Sequence, residues 1–235
     1  MVMSKLKRAM AFKVYITNME TKKNTGNYLG ENSNRFFKVP AYQRGYKWGV
    51  PNLDGKNDAA ILMGDILSAL KAGKAEYFIQ GVTVYEKDND IILIDGQQRT
   101  TTLFLMLNVL MNQGFKNKYL FSNGHFKLLY DIRETSQEYL KSICLKEVCS
   151  IETNEDDTQD IFYFKEAQKQ MKELVDDFIK NNREYTYDFI KEFILDKVML
   201  FYIKVNEKQA SSVFSMLNGA KAFMKTDELI KADFL

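Results

Sequence analysis

The stretch "YFIQGVTVYEKDNDIILIDGQQRTTTLFLMLNVL", residues 77–110, sets two β-type runs, a short polar break and a long apolar segment in immediate succession. Residues 77–86 and 90–95 are rich in β-branched and aromatic side chains, and Lys87, Asp88 and Asn89 between them predict a β-hairpin. Residues 100–110 are apolar on nearly every side, which predicts a buried helix rather than an amphipathic surface one. A hairpin that feeds straight into a buried helix argues against a purely parallel sheet and for an α+β fold with a mixed sheet and flanking helices.

Working outward, "RFFKVP" (35–40) reads as a strand that stops where Pro40 cannot donate to a ladder. A loop follows, punctuated by Gly45, Gly49, Pro51 and Gly55. Over 58–71, Leu62, Ile66 and Leu70, with Met63 and Leu67 beside them, recur at helical spacing. Beyond "NQGFKNKY", residues 126–132 are expected to form a strand and 136–148 a helix. The acidic stretch "IETNEDDTQD" (151–160) reads as an exposed loop dividing the chain into a part at 1–150 and a mainly helical part at 151–235. In the second part, Ile161, Phe164, Gln168, Met171, Val175 and Phe178 predict one helix, and Phe189, Ile190, Phe193 and Ile194 another. "KVMLFYIKV" (197–205) is a strong strand, and two helices should follow, the second capped by Thr226.

Composition is that of an ordinary globular protein of 235 residues, 46% apolar, with only two prolines. No apolar run reaches the roughly 18 residues of a spanning helix, and residues 1–17 lack the apolar core of a secretory signal, so a cytoplasmic protein without membrane contact is expected. Cys144 and Cys149 have no metal-site spacing and read as reduced packing residues. Residues 1–50 carry ten Lys or Arg against two acids, a bias that attracts phosphate or equally makes a solvated basic face.

The chemistry concentrates where the second strand meets the buried helix. The first N–H groups of that helix have no internal partners and lie at the positive end of its dipole, so the junction suits an anion. Gly96 lets backbone approach a ligand, Arg99 is a planar fork for phosphate oxygens, Gln97 and Gln98 donate and accept, and Thr100 and Thr101 carry hydroxyls. Asp95 beside a phosphate suits a Mg²⁺ ion or an oriented water. The bland alternative is a polar turn with threonine capping and Arg99 paired to Asp95. A second cluster, "PAYQRGYKW" (40–48), repeats the Gln-Arg pair at Gln43 and Arg44 beside Tyr42, Tyr46 and Trp48, types that suit the phosphate and base of a nucleotide. No Walker A loop or dinucleotide fingerprint occurs.

Taken together, "FKVPAYQRGYKW", "DIL", "YFIQGVTVY", "IDGQQRTTTL" and, near the end, "VFSMLN" and "LIKADFL" resemble the N-terminal domain of GmrSD-type type IV restriction enzymes. The resemblance is firm over about residues 35–110 and looser over the last thirty. It implies a fold similar to the ParB and sulfiredoxin domains, and a site that binds and hydrolyses a nucleoside triphosphate, with Mg²⁺, in the restriction of modified foreign DNA. Carried over, Asp95, Gln97, Gln98 and Arg99 would be its catalytic residues, Asp95 its metal ligand, and Tyr42, Gln43, Arg44, Gly96, Thr100 and Thr101 its nucleotide-binding residues. Thr100 stands where the family usually has leucine, and the residues around Asn218 depart from the usual asparagine-x-x-glycine spacing.

The family's DNA cutting resides in an HNH-type nuclease domain. Such chemistry needs histidine, and the one histidine here, His125, sits in a loop-like "SNGHFK". The nuclease is therefore expected in another part of the protein or a partner chain, and the apolar pattern running to Leu235 suggests that the natural chain continues. The rival reading is a non-enzymatic DNA-binding or partner-binding module that uses the same basic loop on backbone phosphates.

Overall fold

The computed structural model of the protein describes residues 20–31, 33–146, 151 and 157–222. In chain order the elements are β1 (Glu20–Asn24), α1 (Thr25–Leu29), β2 (Phe36–Val39), α2 (Asp58–Lys71), β3 (Tyr77–Lys87), β4 (Asp90–Asp95), α3 (Gln97–Leu110) and α4 (Gln113–Tyr119). They continue with β5 (Phe121–Ser122), β6 (His125–Phe126), β7 (Leu128–Tyr130), α5 (Glu134–Leu145), α6 (Gln159–Asn181), α7 (Tyr187–Lys197), β8 (Val198–Lys204) and α8 (Glu207–Ala222). The helix expected at 226–235, Cys149 and the side chain of Asn218 lie outside the described residues.

The hairpin forms where the sequence places it. Lys87 pairs with Asp90, and Asp88 turns the chain at φ +53°, a left-handed conformation that aspartate adopts more readily than most residues. β3 also pairs in parallel with β8, β4 with β2, and β2 with β7, while β1 adds antiparallel to β8. The six strands run in the order β1-β8-β3-β4-β2-β7, a mixed sheet in an α+β fold. β8 thus lies inside the sheet, and its Val198 and Leu200 join the same core as Phe37 and Leu93. Among the described residues beyond 150, β8 thus joins the sheet, and Phe164, Met171 and Ile190 join the core of the first part.

α2 has the expected limits because Asn57 caps it, its side chain accepting from the Ala60 N–H at 2.8 Å, and because its apolar stripe of Met63, Ile66, Leu67 and Leu70 is buried. α3 is buried along its whole length except Arg99, with α6 and α7 packed on it, and the Asn108 amide donates to Gln168 Oε1 of α6 at 2.7 Å. α8 packs on the opposite face of the sheet. Alternation along β4 requires this, since Leu93 points into the main core while Ile94 meets Val205, Ala210 and Val213 of the smaller α8 cluster.

β1, α1, α4 and β5 have no expectation attached. β1 is a polar edge strand, "ETKKN", in which lysines discourage further pairing and erase any alternating pattern. α1 and α4 have only five and seven residues and are each fixed by an asparagine cap. His125, expected in a loop, stands exposed on β6, which pairs with β5 in a two-stranded ribbon. Cys144 is buried in the main core. Lys127 is fully buried beside this region, and its Nζ donates to Leu29 O, Gly30 O and Ser33 Oγ at 2.6–2.9 Å, which closes the C-terminal end of α1. Burial away from water pushes this ammonium down to about 8.

Candidate functional site

Gly96 ends β4 at φ +94°, and a Cβ there would lie 2.6 Å from Val82 Cγ1, so both conformation and space demand glycine. α3 then opens at Gln97 rather than at the expected Thr100, so Gln97, Gln98 and Arg99 form its first turn. No side chain caps this N-terminus. It lies in the wall of a cleft of about 550 Å³ bounded by Asp95 to Arg99 on one side and by Tyr42, Gln43, Arg44 and Trp48 on the other, with Phe214 of α8 at the edge. The cleft therefore joins the two Gln-Arg motifs, 51 residues apart from Gln43 to Ile94, through a hydrogen bond from Gln43 Nε2 to Ile94 O at 2.7 Å.

The glutamines of the second motif line the cleft, and their amides reach the opposite loop. Gln97 Nε2 donates to Arg44 O at 2.7 Å, and Gln98 Nε2 donates to Gly45 O at 3.0 Å. Gln98 Oε1 in turn accepts the backbone N–H of Lys47 at 2.7 Å and that of Trp48 at 3.3 Å. Both side chains are under a tenth exposed, and these bonds hold the opposite loop. On its far side the loop is pressed onto α6. A Cβ at Gly49 would meet Tyr163 O at 1.9 Å, and one at Gly45 would meet Asp160 Oδ1 at 2.2 Å.

Arg99 is likewise engaged by the protein. Its guanidinium donates to Gln80 Oε1 at 3.0 Å, Gly81 O at 2.6 Å and Asp95 Oδ2 at 3.3 Å. Gln80 sits at an irregularity of β3 with φ +69°, a strained conformation for a residue with a side chain, which Arg99 helps to hold. The Asp95–Arg99 pairing of the bland reading is thus present, while both residues still line the cleft. Arg44 differs. It is exposed, lines the cleft, and among the described residues its guanidinium has no hydrogen-bond or ion-pair partner.

Thr100 and Thr101, expected among the nucleotide-binding residues, are fully buried and turn away from the cleft. Three consecutive threonines each meet a tyrosine hydroxyl: Thr100 that of Tyr28 at 2.8 Å, Thr101 that of Tyr130 at 2.7 Å, and Thr102 that of Tyr46 at 2.8 Å. Burial raises all three phenols above their ordinary range, so they stay neutral, and this belt seats the start of α3 in the core. Thr100 also donates to Gly96 O at 3.0 Å.

Tyr42 stands half-exposed over the cleft against Phe214, ring centroids 4.4 Å apart, and burial followed by nearby Tyr85 and Asp131 raises its phenol. Phe214 is a site residue that local sequence reasoning missed; only its place in "VFSMLN" pointed to it. A larger hollow of about 700 Å³ elsewhere holds Arg133, but that cation is paired to Asp160 at 3.0 Å. The 550 Å³ cleft is preferred because it offers an unpaired cation and a helix N-terminus together.

The comparisons with known proteins agree with the motifs that meet in this cleft. Residues 25–235 match the family model of the GmrSD restriction endonuclease N-terminal domain. The chain belongs to this family. A search of curated proteins finds no match to it. As a GmrSD N-terminal domain it is a component of a restriction, phage-defence system. Among its described residues no helix is long and apolar enough to cross a membrane, and no group of three or more His, Cys, Asp or Glu could hold a metal ion.

Proposed function

We infer that this GmrSD domain binds a nucleoside triphosphate in the cleft and hydrolyses it, and that it serves a system restricting modified DNA with a nuclease domain in the same or a partner chain. The observation that supports this most is the unpaired Arg44 facing the uncapped start of α3 across the cleft, since a helix N-terminus and a guanidinium together suit phosphate oxygens. Tyr42 and Phe214 offer aromatic faces on which a base can stack, which favours a nucleotide over inorganic phosphate alone.

In this reading α3 and Arg44 hold the phosphates, and Arg99 adds positive charge from within the wall. Asp95 orients a water that attacks the terminal phosphorus, with cleavage of the bond to the diphosphate oxygen. Magnesium is commonly held by one or two carboxylates plus phosphate oxygens, and Asp95 is the carboxylate in the cleft wall, so the residues present fit an ion that arrives with the nucleotide. When bound, that ion supplies neutralisation of phosphate charge.

Calorimetric titration with a panel of nucleoside triphosphates, with and without Mg²⁺, tests the reading, followed by phosphate release. Saturable, Mg²⁺-dependent binding is expected. Duplex binding that is steeply salt-dependent and indifferent to nucleotide would replace it with a DNA-binding module.

A further inference from the structure

We propose that Gln97 and Gln98 are positioning residues that latch the 41–49 loop to α3, and that they act on the nucleotide only through Arg44. Every polar atom of the Gln98 amide group faces the loop: Nε2 donates to Gly45 O, and Oε1 accepts from the N–H groups of Lys47 and Trp48. Gln97 holds the carbonyl of Arg44 itself at 2.7 Å. Gln43 returns the grip by donating to Ile94 O, so the loop and the strand-helix junction hold one another from both sides. These bonds end on backbone, not on side chains, and backbone is what sets where the Arg44 side chain leaves the loop.

Both amides are held toward the loop by these bonds: each Nε2 ends on a loop carbonyl, and Gln98 Oε1 is shared by two loop N–H groups. The loop needs such a latch. Over residues 40–50 its own backbone hydrogen bonds are only Gln43 N–H to Pro40 O and Val50 N–H to Lys47 O, with Trp48 O accepting from Ala59. Without the glutamines, the carbonyls of Arg44 and Gly45 and the N–H groups of Lys47 and Trp48 would lose those partners. The loop's other anchors are the contacts of Gly45 and Gly49 with α6, the buried Tyr46 with its hydroxyl on Thr102, and the Lys47 ammonium on Gln159 Oε1; none of them holds the carbonyl of Arg44.

The functional arm of this inference rests on the nucleotide reading above, and its structural arm does not. Trp48 is the only tryptophan of the chain and its N–H lies in the latch, so its fluorescence reports the loop without any ligand. Gln98→Met and Gln97→Met keep side-chain volume and remove the hydrogen bonds. The latch predicts that each makes Trp48 more accessible to acrylamide while circular dichroism still shows a folded protein. Unchanged quenching in both folded variants overturns it.

With inorganic triphosphate and with a nucleoside triphosphate as probes, each variant should bind about tenfold more weakly, the order of one or two hydrogen bonds. In an Arg44→Ala background the same substitutions should change binding less than about twofold, because there is no longer a cation to position. Equal losses with and without Arg44 would show that the glutamines touch the ligand themselves and would overturn the positioning role. If the wild-type protein binds neither probe, the nucleotide reading fails, and the quenching alone decides the latch.

Discussion

Gln43-Arg44 and Gln98-Arg99 are the same dipeptide on two walls of one cleft, yet their arginines stand in opposite situations. Arg44 leaves an irregular loop and is exposed, with no partner among the described residues, whereas Arg99 leaves the first turn of α3 toward a strained point of β3 and is tied to Gln80, Gly81 and Asp95. The glutamines reverse the pattern of what they hold: Gln43 reaches from the loop to the junction, and Gln98 from the junction to the loop. A guanidinium bound by protein acceptors fixes structure, and one without them is available to a ligand. Residue type does not distinguish the two. The backbone from which each departs does.

The sharpest way to break this comparison is to remove each arginine in turn. Arg44→Ala should leave thermal unfolding within about 0.5 kcal/mol of the wild type, as for most surface substitutions, while weakening triphosphate binding roughly tenfold to a hundredfold. Arg99→Ala should instead cost about 2 kcal/mol of stability, which is a fall in melting temperature of roughly 4–8 °C for a chain of this size. Should Arg99→Ala leave melting unchanged and abolish binding, the two roles are reversed.

A further pair of substitutions tests the inward side of the same helix turn. Thr100 donates to Gly96 O, so the Tyr28 hydroxyl donates to Thr100. Thr100→Val should cost about 1–3 kcal/mol because it leaves the buried Tyr28 hydroxyl unsatisfied, and Tyr28→Phe about 1 kcal/mol. The double variant, measured by denaturant unfolding, should cost less than the sum; strict additivity would mean that the pair contributes nothing. Tyr28 thus supplies the partner that the buried Thr100 hydroxyl needs.

Lys127 extends the comparison to a cation held wholly by uncharged acceptors. Its folded-state value is lowered to about 8 from 10.5. Between those two values the unfolded chain binds more protons than the folded one, so stability rises with pH across that window. The advantage of wild type over Lys127→Met should grow from about pH 8 to 10.5, as followed by chemical denaturation. A difference that stays flat or shrinks would show that the ammonium is not held in a desolvated site.

Much of the fold was legible because the deciding segments carry strong local patterns. The hairpin at 77–95, the helix at 58–71 and the strand at 197–205 follow from alternation or from 3.6-residue spacing that no tertiary contact had to override. β1, α1 and α4 were not legible, since they are short and polar and hold through caps and edge pairing. The start of α3 was misplaced by three residues because Gln97, Gln98 and Arg99 look like turn residues until their partners are known.

The sequence by itself determined the α+β class, the family, and the pairing of two Gln-Arg motifs at a strand-helix junction, because these are matters of residue type and order along the chain. Tertiary structure alone decided that Thr100 and Thr101 face the core, that Gln97 and Gln98 grip the loop, that Phe214 stands at the edge of the cleft, and which arginine has no partner among the described residues. The reason is that a polar side chain's role is set by whichever partner reaches it first. For these residues the partners come from segments far away along the chain, brought close only when the sheet and α3 have formed.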